Sequence, residues 1–86
     1  MRLDKFLKVT QMIKRRTVAK ETVEEGVIFV NGKKAKPSFM LSVGDIIEID
    51  MWNYYKKAEV LKIPDSGSVA KSRIDEYIRV TEFYTK

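Results

Sequence analysis

The dipeptide Asn31-Gly32 constrains the fold of this chain more than any other feature of its sequence. It follows the stretch "VIFV", and both of its residues tolerate the positive φ of a two-residue type I′ turn. The sequence therefore predicts a β-hairpin here, with Pro37 ending the regular pairing. Two further strands are predicted from the alternating stretches "VGDIIEIDM" and "YYKKAEVLKI", joined by a tight turn near Trp52-Asn53.

The residues before the hairpin have the apolar period of helices. Leu3, Phe6 and Leu7 stand at i, i+3 and i+4, which predicts a short first helix. The stretch "TVAKETVEEG" predicts a second helix with Thr17 as N-cap and Gly26 at its end. Its predicted inward stripe consists of Val18, Thr22 and Val23. Two helices followed by a small antiparallel sheet make an α+β fold.

The breaker "PDSGS" divides the chain into a domain over residues 1–63 and a C-terminal extension over residues 64–86. In the extension, Ile74, Tyr77 and Ile78 stand at helical spacing, which predicts a short helix.

Two missing residue types exclude most enzyme classes. The chain has no cysteine, which excludes disulfides and thiolate metal sites, and no histidine, which excludes imidazole acid–base chemistry. Its four glycines are scattered at turns and form no phosphate-binding loop. We therefore expect a non-catalytic protein without a cofactor or metal. No apolar run is long enough for a membrane span, so we expect a cytoplasmic protein with no membrane partner.

The positive charge is concentrated at the start of the chain. Residues 1–36 carry ten basic and four acidic side chains, a net charge of +6, whereas residues 37–86 carry seven basic and eight acidic ones, a net charge of −1. In the stretch "MIKRRTVAK" three of the four basic residues lie between apolar Ile13 and Val18, which we expect in the core. Positive charge concentrated in this way favours binding to a polyanion such as nucleic acid, although basic surfaces also keep proteins soluble.

The charged residues of the second helix are arranged in the opposite order to the one that the helix dipole favours. Arg15, Arg16 and Lys20 lie towards its N-terminus, and Glu24 and Glu25 lie at its C-terminus. A phosphate bound at the N-terminus would explain this order; the alternative is that the glutamates pair with nearby lysines. The lysines after the hairpin turn form a second basic element, but lysines also protect exposed strand edges that bind nothing.

The spacing of "RLDKFLK", "IKRRTVAKE", "VNGKKAKPS" and "VGDIIEI" over about residues 1–50 resembles the S4 RNA-binding domain, named after a small-subunit ribosomal protein. The resemblance implies the αL motif of two helices on a small sheet. Within the family, the chain is similar to the ribosome-associated quality-control branch and its heat-shock relatives.

This resemblance implies binding to large-subunit ribosomal RNA and tRNA on large ribosomal subunits that carry a stalled peptidyl-tRNA. It also implies RqcH as a partner, which extends the stalled chain with alanine, and we expect a monomer when the protein is free. We expect Asp4 to orient Arg2 or Arg16; the alternative is an ordinary acidic charge that complements the dipole at the start of the first helix. We also expect the arginines to contribute more to binding than the hairpin lysines, because a planar guanidinium can donate two hydrogen bonds to one phosphate. The predicted RNA-binding residues combine the family positions with the two basic runs: Arg2, Asp4, Lys5, Lys8, Lys14, Arg15, Arg16, Thr17, Lys20, Asn31, Gly32, Lys33, Lys34 and Lys36.

Two other functions remain open from the residues alone. The chain could be a small RNA-binding factor in ribosome assembly or in ribosome recycling after heat shock. It could also be a protein–protein adaptor that docks a partner through exposed Trp52, Tyr54 and Tyr55.

Overall fold

The computed structural model describes residues 1–65 and 67–86, without the side chain of Arg16. Its helices are α1 (Leu3–Val9), α2 (Arg16–Glu24) and a 3₁₀ helix (Lys71–Glu76). Its strands are β1 (Ile28–Val30), β2 (Lys33–Lys34), β3 (Ile46–Asp50), β4 (Tyr54–Val60) and β5 (Ile78–Thr85). All strand pairs are antiparallel and follow the order β2-β1-β3-β4-β5, which confirms the α+β fold.

The hairpin predicted at Asn31-Gly32 is confirmed. Both residues have positive φ, 54° at Asn31 and 82° at Gly32, and β1 pairs with β2 across them. The amide of Asn31 also ties the turn to β3, since its nitrogen donates to Asp45 Oδ1 at 3.0 Å and its oxygen accepts from the Ile46 N–H at 2.9 Å. The turn is therefore fixed both by its own backbone and by the neighbouring strand.

One face of the sheet packs against the helices to form the core. Ile28, Ile47 and Ile49 from the sheet and Phe6 and Leu7 from α1 are fully buried. Full burial of a large apolar side chain contributes about 1.5–3 kcal/mol to folding. The helices in the described part of the chain are too short and too polar to cross a membrane.

Two details predicted for α2 are wrong. The N-cap is Arg15 and makes no side-chain capping bond, whereas Thr17 lies inside the first turn. Val18 is 44% exposed, and the inward stripe consists instead of Ala19, Thr22 and Val23, which are all buried. These three residues also have i, i+3, i+4 spacing, so the helix is rotated to place the small side chain of Ala19 against the core. Gly26, with φ of 82°, follows the helix end as predicted.

The C-terminal extension contains a strand that the sequence did not predict. The expected short helix is present as the 3₁₀ helix, and β5 after it pairs with the whole of β4, with an irregularity between Lys57 and Ala58. Ring contacts support the pairing, because Tyr55 stacks on Tyr84 with centroids 5.2 Å apart. The fifth strand therefore extends the same sheet.

Candidate nucleic-acid interface

The N-terminal residues are held beside the segment that follows the hairpin. The N–H of Leu3 donates to the carbonyl of Phe39 at 2.8 Å, and the N–H of Asp4 donates to the carbonyl of Pro37 at 3.1 Å. Arg2 and Met40 form an isolated antiparallel bridge. These bonds bring the first basic residue of the chain next to the basic residues of the hairpin.

Asp4 fixes the guanidinium of Arg2. Arg2 Nε and one terminal nitrogen donate to the two carboxylate oxygens of Asp4, each at 3.1 Å. Asp4 is only 1% exposed, and its Oδ1 also accepts from the Lys5 N–H at 2.8 Å, whereas 44% of the Arg2 side chain is exposed. A buried carboxylate thus presents an accessible guanidinium in one orientation, which agrees with the orienting role expected for Asp4.

A cleft of about 640 Å³ lies between α2, β2 and the turn after β2. We call it the basic cleft, because four predicted binding residues from three parts of the chain line it: Arg2, Lys20, Lys34 and Lys36. Glu24 and Glu25 also line it, so cations outnumber carboxylates by two. None of the three lysines has a carboxylate within ion-pair distance among the described side chains.

Gly26 shapes the floor of the basic cleft. Its φ of 82° favours glycine, and the end of the Lys34 side chain lies 3.4 Å from the position that a Cβ would occupy. The absence of a side chain at Gly26 therefore leaves room for Lys34 to cross the end of α2.

The N-terminus of α2 carries exposed Arg15 and Thr17, and its first turn has no acidic residue. In the part of the chain that the structure describes, no group accepts a hydrogen bond from the N–H of Thr17 or Val18. The side chain of Arg16, one of the arginines that we expect to contribute more than the hairpin lysines, lies outside the described residues.

The other predicted residues lie elsewhere. Lys8 and Lys14 line a separate groove of about 340 Å³ with residues 67–69, and the end of the Lys5 side chain approaches Gly67. Lys33 lines a third groove beside Phe39, together with Asn31 and Lys34. The groove of Lys33 adjoins the basic cleft through Lys34, whereas the groove of Lys8 and Lys14 shares no residue with the cleft, and the sequence could not show this division. Sequence reasoning also passed over Pro37 and Ser38 as cleft-lining residues, although the motif "KPS" was a signal for them.

Residues 1–47, which include every residue lining the basic cleft, match the model of the S4 domain. The chain belongs to the S4 domain family. The chain is 53% identical over 66 residues to the RQC P-site tRNA stabilizing factor of Streptococcus pneumoniae, covering 77% of this chain and 75% of the relative. It is 40% identical over 85 residues to the factor of the same name in Listeria monocytogenes, covering 99% of this chain and 84% of the relative.

Solved structures of S4-like proteins have the same fold. The trimeric structure of Vibrio cholerae Heat Shock Protein 15 is 30% identical with a TM-score of 0.84, covering 94% of this chain and 81% of that one. The solution structure of the hypothetical protein HP1423 is also 30% identical, with a TM-score of 0.83, covering 95% of this chain and 98% of that one. The S4-type relationship inferred from the motifs is confirmed.

Proposed function

We propose that this S4 protein is a non-catalytic RNA-binding protein that binds large-subunit ribosomal RNA and tRNA on stalled large ribosomal subunits. The observation that carries the proposal is the basic cleft, where cations from the N-terminus, α2 and the hairpin converge. The names of the relatives, RQC P-site tRNA stabilizing factors, support tRNA in the P site as one of the ligands.

The cleft acts by holding its cations in place before RNA arrives. Asp4 fixes the guanidinium of Arg2, and Lys20 and Lys34 are carried by α2 and β2, so less side-chain entropy is lost on binding than with a flexible tail. A-form RNA conceals its base edges in a deep major groove, so the cleft reads backbone shape and phosphate spacing. The specificity for the binding site then comes from the architecture of the ribosome.

A phosphate at the N-terminus of α2 is a further part of this proposal. The N–H groups of Thr17 and Val18, the helix dipole and the basic residue at the N-cap all favour an anion there. The reversed charge order of α2 is then a consequence of binding, since it is unfavourable for the isolated helix.

In quality control the protein would act with RqcH during alanine tailing of the stalled chain, as a cytoplasmic factor that is monomeric when free. The similarity to Heat Shock Protein 15 favours one second candidate, a factor in ribosome assembly or in recycling after heat shock. For the adaptor hypothesis, Trp52 is exposed as predicted, but Tyr54 and Tyr55 are half-buried and contact Phe83 and Tyr84 within the sheet, so this hypothesis is less well supported.

Association with purified large subunits tests the proposal. We expect tighter binding to subunits that carry P-site peptidyl-tRNA than to empty subunits, and weaker binding for Lys34→Gln and Arg2→Lys. Neutralising about four phosphates should give a slope of about −3 to −4 in log affinity against log salt concentration. Lys57→Gln is the matched control, because Lys57 lies on the sheet away from the basic cleft. A flat salt response, or equal binding by all variants, would refute the phosphate-binding cleft.

A further inference from the structure

A second surface, on the side of α1 and β5, consists of three adjoining grooves. The groove of Lys8 and Lys14 shares Gln11 with a groove of about 770 Å³ next to the 3₁₀ helix. That groove shares Lys56 with a third of about 280 Å³ at the end of β4. We call this surface the lysine belt after the four lysines that line it: Lys8, Lys14, Lys56 and Lys71.

The lysine belt is strongly positive. None of its four lysines makes an ion pair with any described side chain. Among the described residues that line the three grooves, Asp75 is the one carboxylate, and the guanidinium of Arg79 is already paired with Glu59 at 3.4 Å. The charge of this surface therefore fits a polyanion better than a protein of mixed charge.

An exposed aromatic ring lies at one end of the belt beside a half-buried one. Phe83 is 56% exposed, and its ring centroid lies 5.9 Å from that of Tyr54. Ile49 pairs with Lys56 and Lys56 pairs with Phe83, so all three side chains are on the same face of the sheet. Ile49 is buried under the helices, whereas Phe83 remains accessible beyond them. The sheet face that packs against the core thus extends beyond the helices as a solvent-accessible apolar surface with Lys56 at its centre.

We infer that the lysine belt binds a single-stranded segment of RNA, with a base stacked on Phe83 and the phosphates on the lysines. Aromatic side chains beside a positive groove are the usual means of binding single strands, because every base has a face that can stack. A duplex does not fit this arrangement, since its bases are already stacked on one another. The largest dimension of the molecule is 30 Å, which limits the segment to about four to eight nucleotides, the lower part of the range for such sites.

The belt and the basic cleft share no residue, so they can be tested separately. The belt also extends beyond residues 1–47, because Lys56, Lys71 and Phe83 lie outside the part that matches the S4 domain. The antiparallel pairing of β5 with β4 and the position of the 3₁₀ helix bring these residues beside α1.

Fluorescence anisotropy with a labelled single-stranded RNA of about eight nucleotides tests the inference directly. We expect Phe83→Leu, which keeps an apolar side chain and removes the stacking face, to weaken binding at least about fivefold. Lys56→Gln should weaken binding and reduce the salt slope by about 0.7, the value for one phosphate of a single strand. Lys57→Gln is the matched control, since Lys57 follows Lys56 on β4 and points to the opposite face. Thermal unfolding of each variant checks that the fold is retained.

Three outcomes would overturn the inference. The first is that Phe83→Leu and Lys56→Gln bind the oligonucleotide as tightly as the parent. The second is that polyglutamate of equal charge competes as well as RNA does. The third is that Lys34→Gln in the basic cleft abolishes oligonucleotide binding, which would place the single strand there and leave the proposed function intact. Conversely, loss of oligonucleotide binding in the belt variants, with unchanged subunit association in the cleft variants, would support the belt and contradict the proposed function.

Discussion

The S4 part of the chain and its C-terminal part use positive charge differently. Over residues 1–47, the lysines of the basic cleft have no carboxylate partner among the described side chains, and Arg2, which is paired with Asp4, keeps its guanidinium accessible. After residue 47, three of the six charged side chains on β5 and the 3₁₀ helix are in ion pairs among the described side chains: Arg73, Glu76 and Arg79. The C-terminal ion pairs are Arg73–Glu76, Arg79–Glu59 and Lys86–Asp50.

This difference separates charges that support the fold from charges available to a ligand. The pairs Arg79–Glu59 and Lys86–Asp50 connect β5 to β4 and to the end of β3, so they help to hold the last strand in place. Unpaired lysines repel one another and contribute little to stability, but together they create a field that attracts phosphate. Among the described side chains of the C-terminal part, Lys56, Lys57, Lys62 and Lys71 make no ion pair. Of these, Lys56 and Lys71 line the lysine belt, where they are available to a second ligand.

The largest expected effect is a loss of folding stability when the Asn31-Gly32 turn of the S4 part is altered, compared with the turn between β3 and β4. Replacing Asn31 and Gly32 together by valine forces two β-branched residues into positive φ and removes the bonds to Asp45 and Ile46. We expect a loss of about 2–4 kcal/mol, since left-handed backbone costs about 1–2 kcal/mol per non-glycine residue. Denaturant unfolding measures the change.

The matched control for this prediction is the other hairpin, with Trp52 and Asn53 both replaced by valine. Neither residue has positive φ and Trp52 is 85% exposed, so we expect a change within about 0.5 kcal/mol. Equal losses of unfolding free energy in the two double variants would contradict the prediction that positive φ makes the Asn31-Gly32 turn the more sensitive one.

Replacing Asp4 by asparagine tests whether the buried carboxylate supports Arg2. We expect destabilisation of about 1–3 kcal/mol, because a hydrogen bond to a charged group is lost in a buried position. Association with large subunits should weaken as well, and Arg2→Gln should make the effect of Asp4→Asn on association much smaller. Asp50→Asn, which disrupts an exposed pair, is the control. If Asp4→Asn associated with large subunits as tightly as the parent, the proposal that Asp4 orients Arg2 would be refuted.

Replacing Tyr84 by alanine should affect stability without affecting ligand binding at the cleft. The stacked pair with Tyr55 contributes about 0.5–1.5 kcal/mol beyond area burial, and Tyr84 lies on the sheet face opposite the core. We therefore expect a modest decrease in the free energy of unfolding and normal association with large subunits. A large decrease in association would link the two parts of the molecule, contrary to the division described above.

The smallest expected effect depends on pH. Tyr55 donates a hydrogen bond to Glu48, and this bond, with a smaller contribution from burial, raises the pKa of Tyr55 above its usual value of 10.0. A raised folded-state pKa gives stability that is fully present below pH 10 and is lost as the pH rises further. The difference in unfolding free energy between the parent and Tyr55→Phe should therefore be constant from pH 7 to pH 9 and decrease above pH 10. A difference that grows above pH 10 would contradict the assignment.

Features set by neighbouring residues were predictable from sequence, and features set by distant contacts were not. The turn at Asn31-Gly32 depends on backbone freedom at those two positions, so the dipeptide was sufficient evidence. The strand β5 was missed because Ile74, Tyr77 and Ile78 have helical spacing, whereas pairing with β4 decides the conformation after Tyr77.

The candidate site shows the same limit. The residue types of the basic cleft were predicted, but its assembly depends on bonds between residues 1–4 and residues 37–41, which no local pattern contains. The same fold places Lys8 and Lys14 in a different groove, although they lie between Arg2 and Lys20 in the sequence. The sequence therefore predicted which residue types form the interface, but not that they are divided between two surfaces.

The strand order has a consequence for biosynthesis. After the β1–β2 hairpin has formed, β3 adds to the free side of β1, and β4 and β5 then each pair with the strand translated just before them. A nascent chain that folds from its N-terminus can thus extend its sheet one strand at a time as it leaves the ribosome. The contact between residues 1–4 and residues 37–41, and all the residues that line the basic cleft, precede β3 in the sequence. The basic cleft therefore draws its side chains from the part of the chain that leaves the ribosome first.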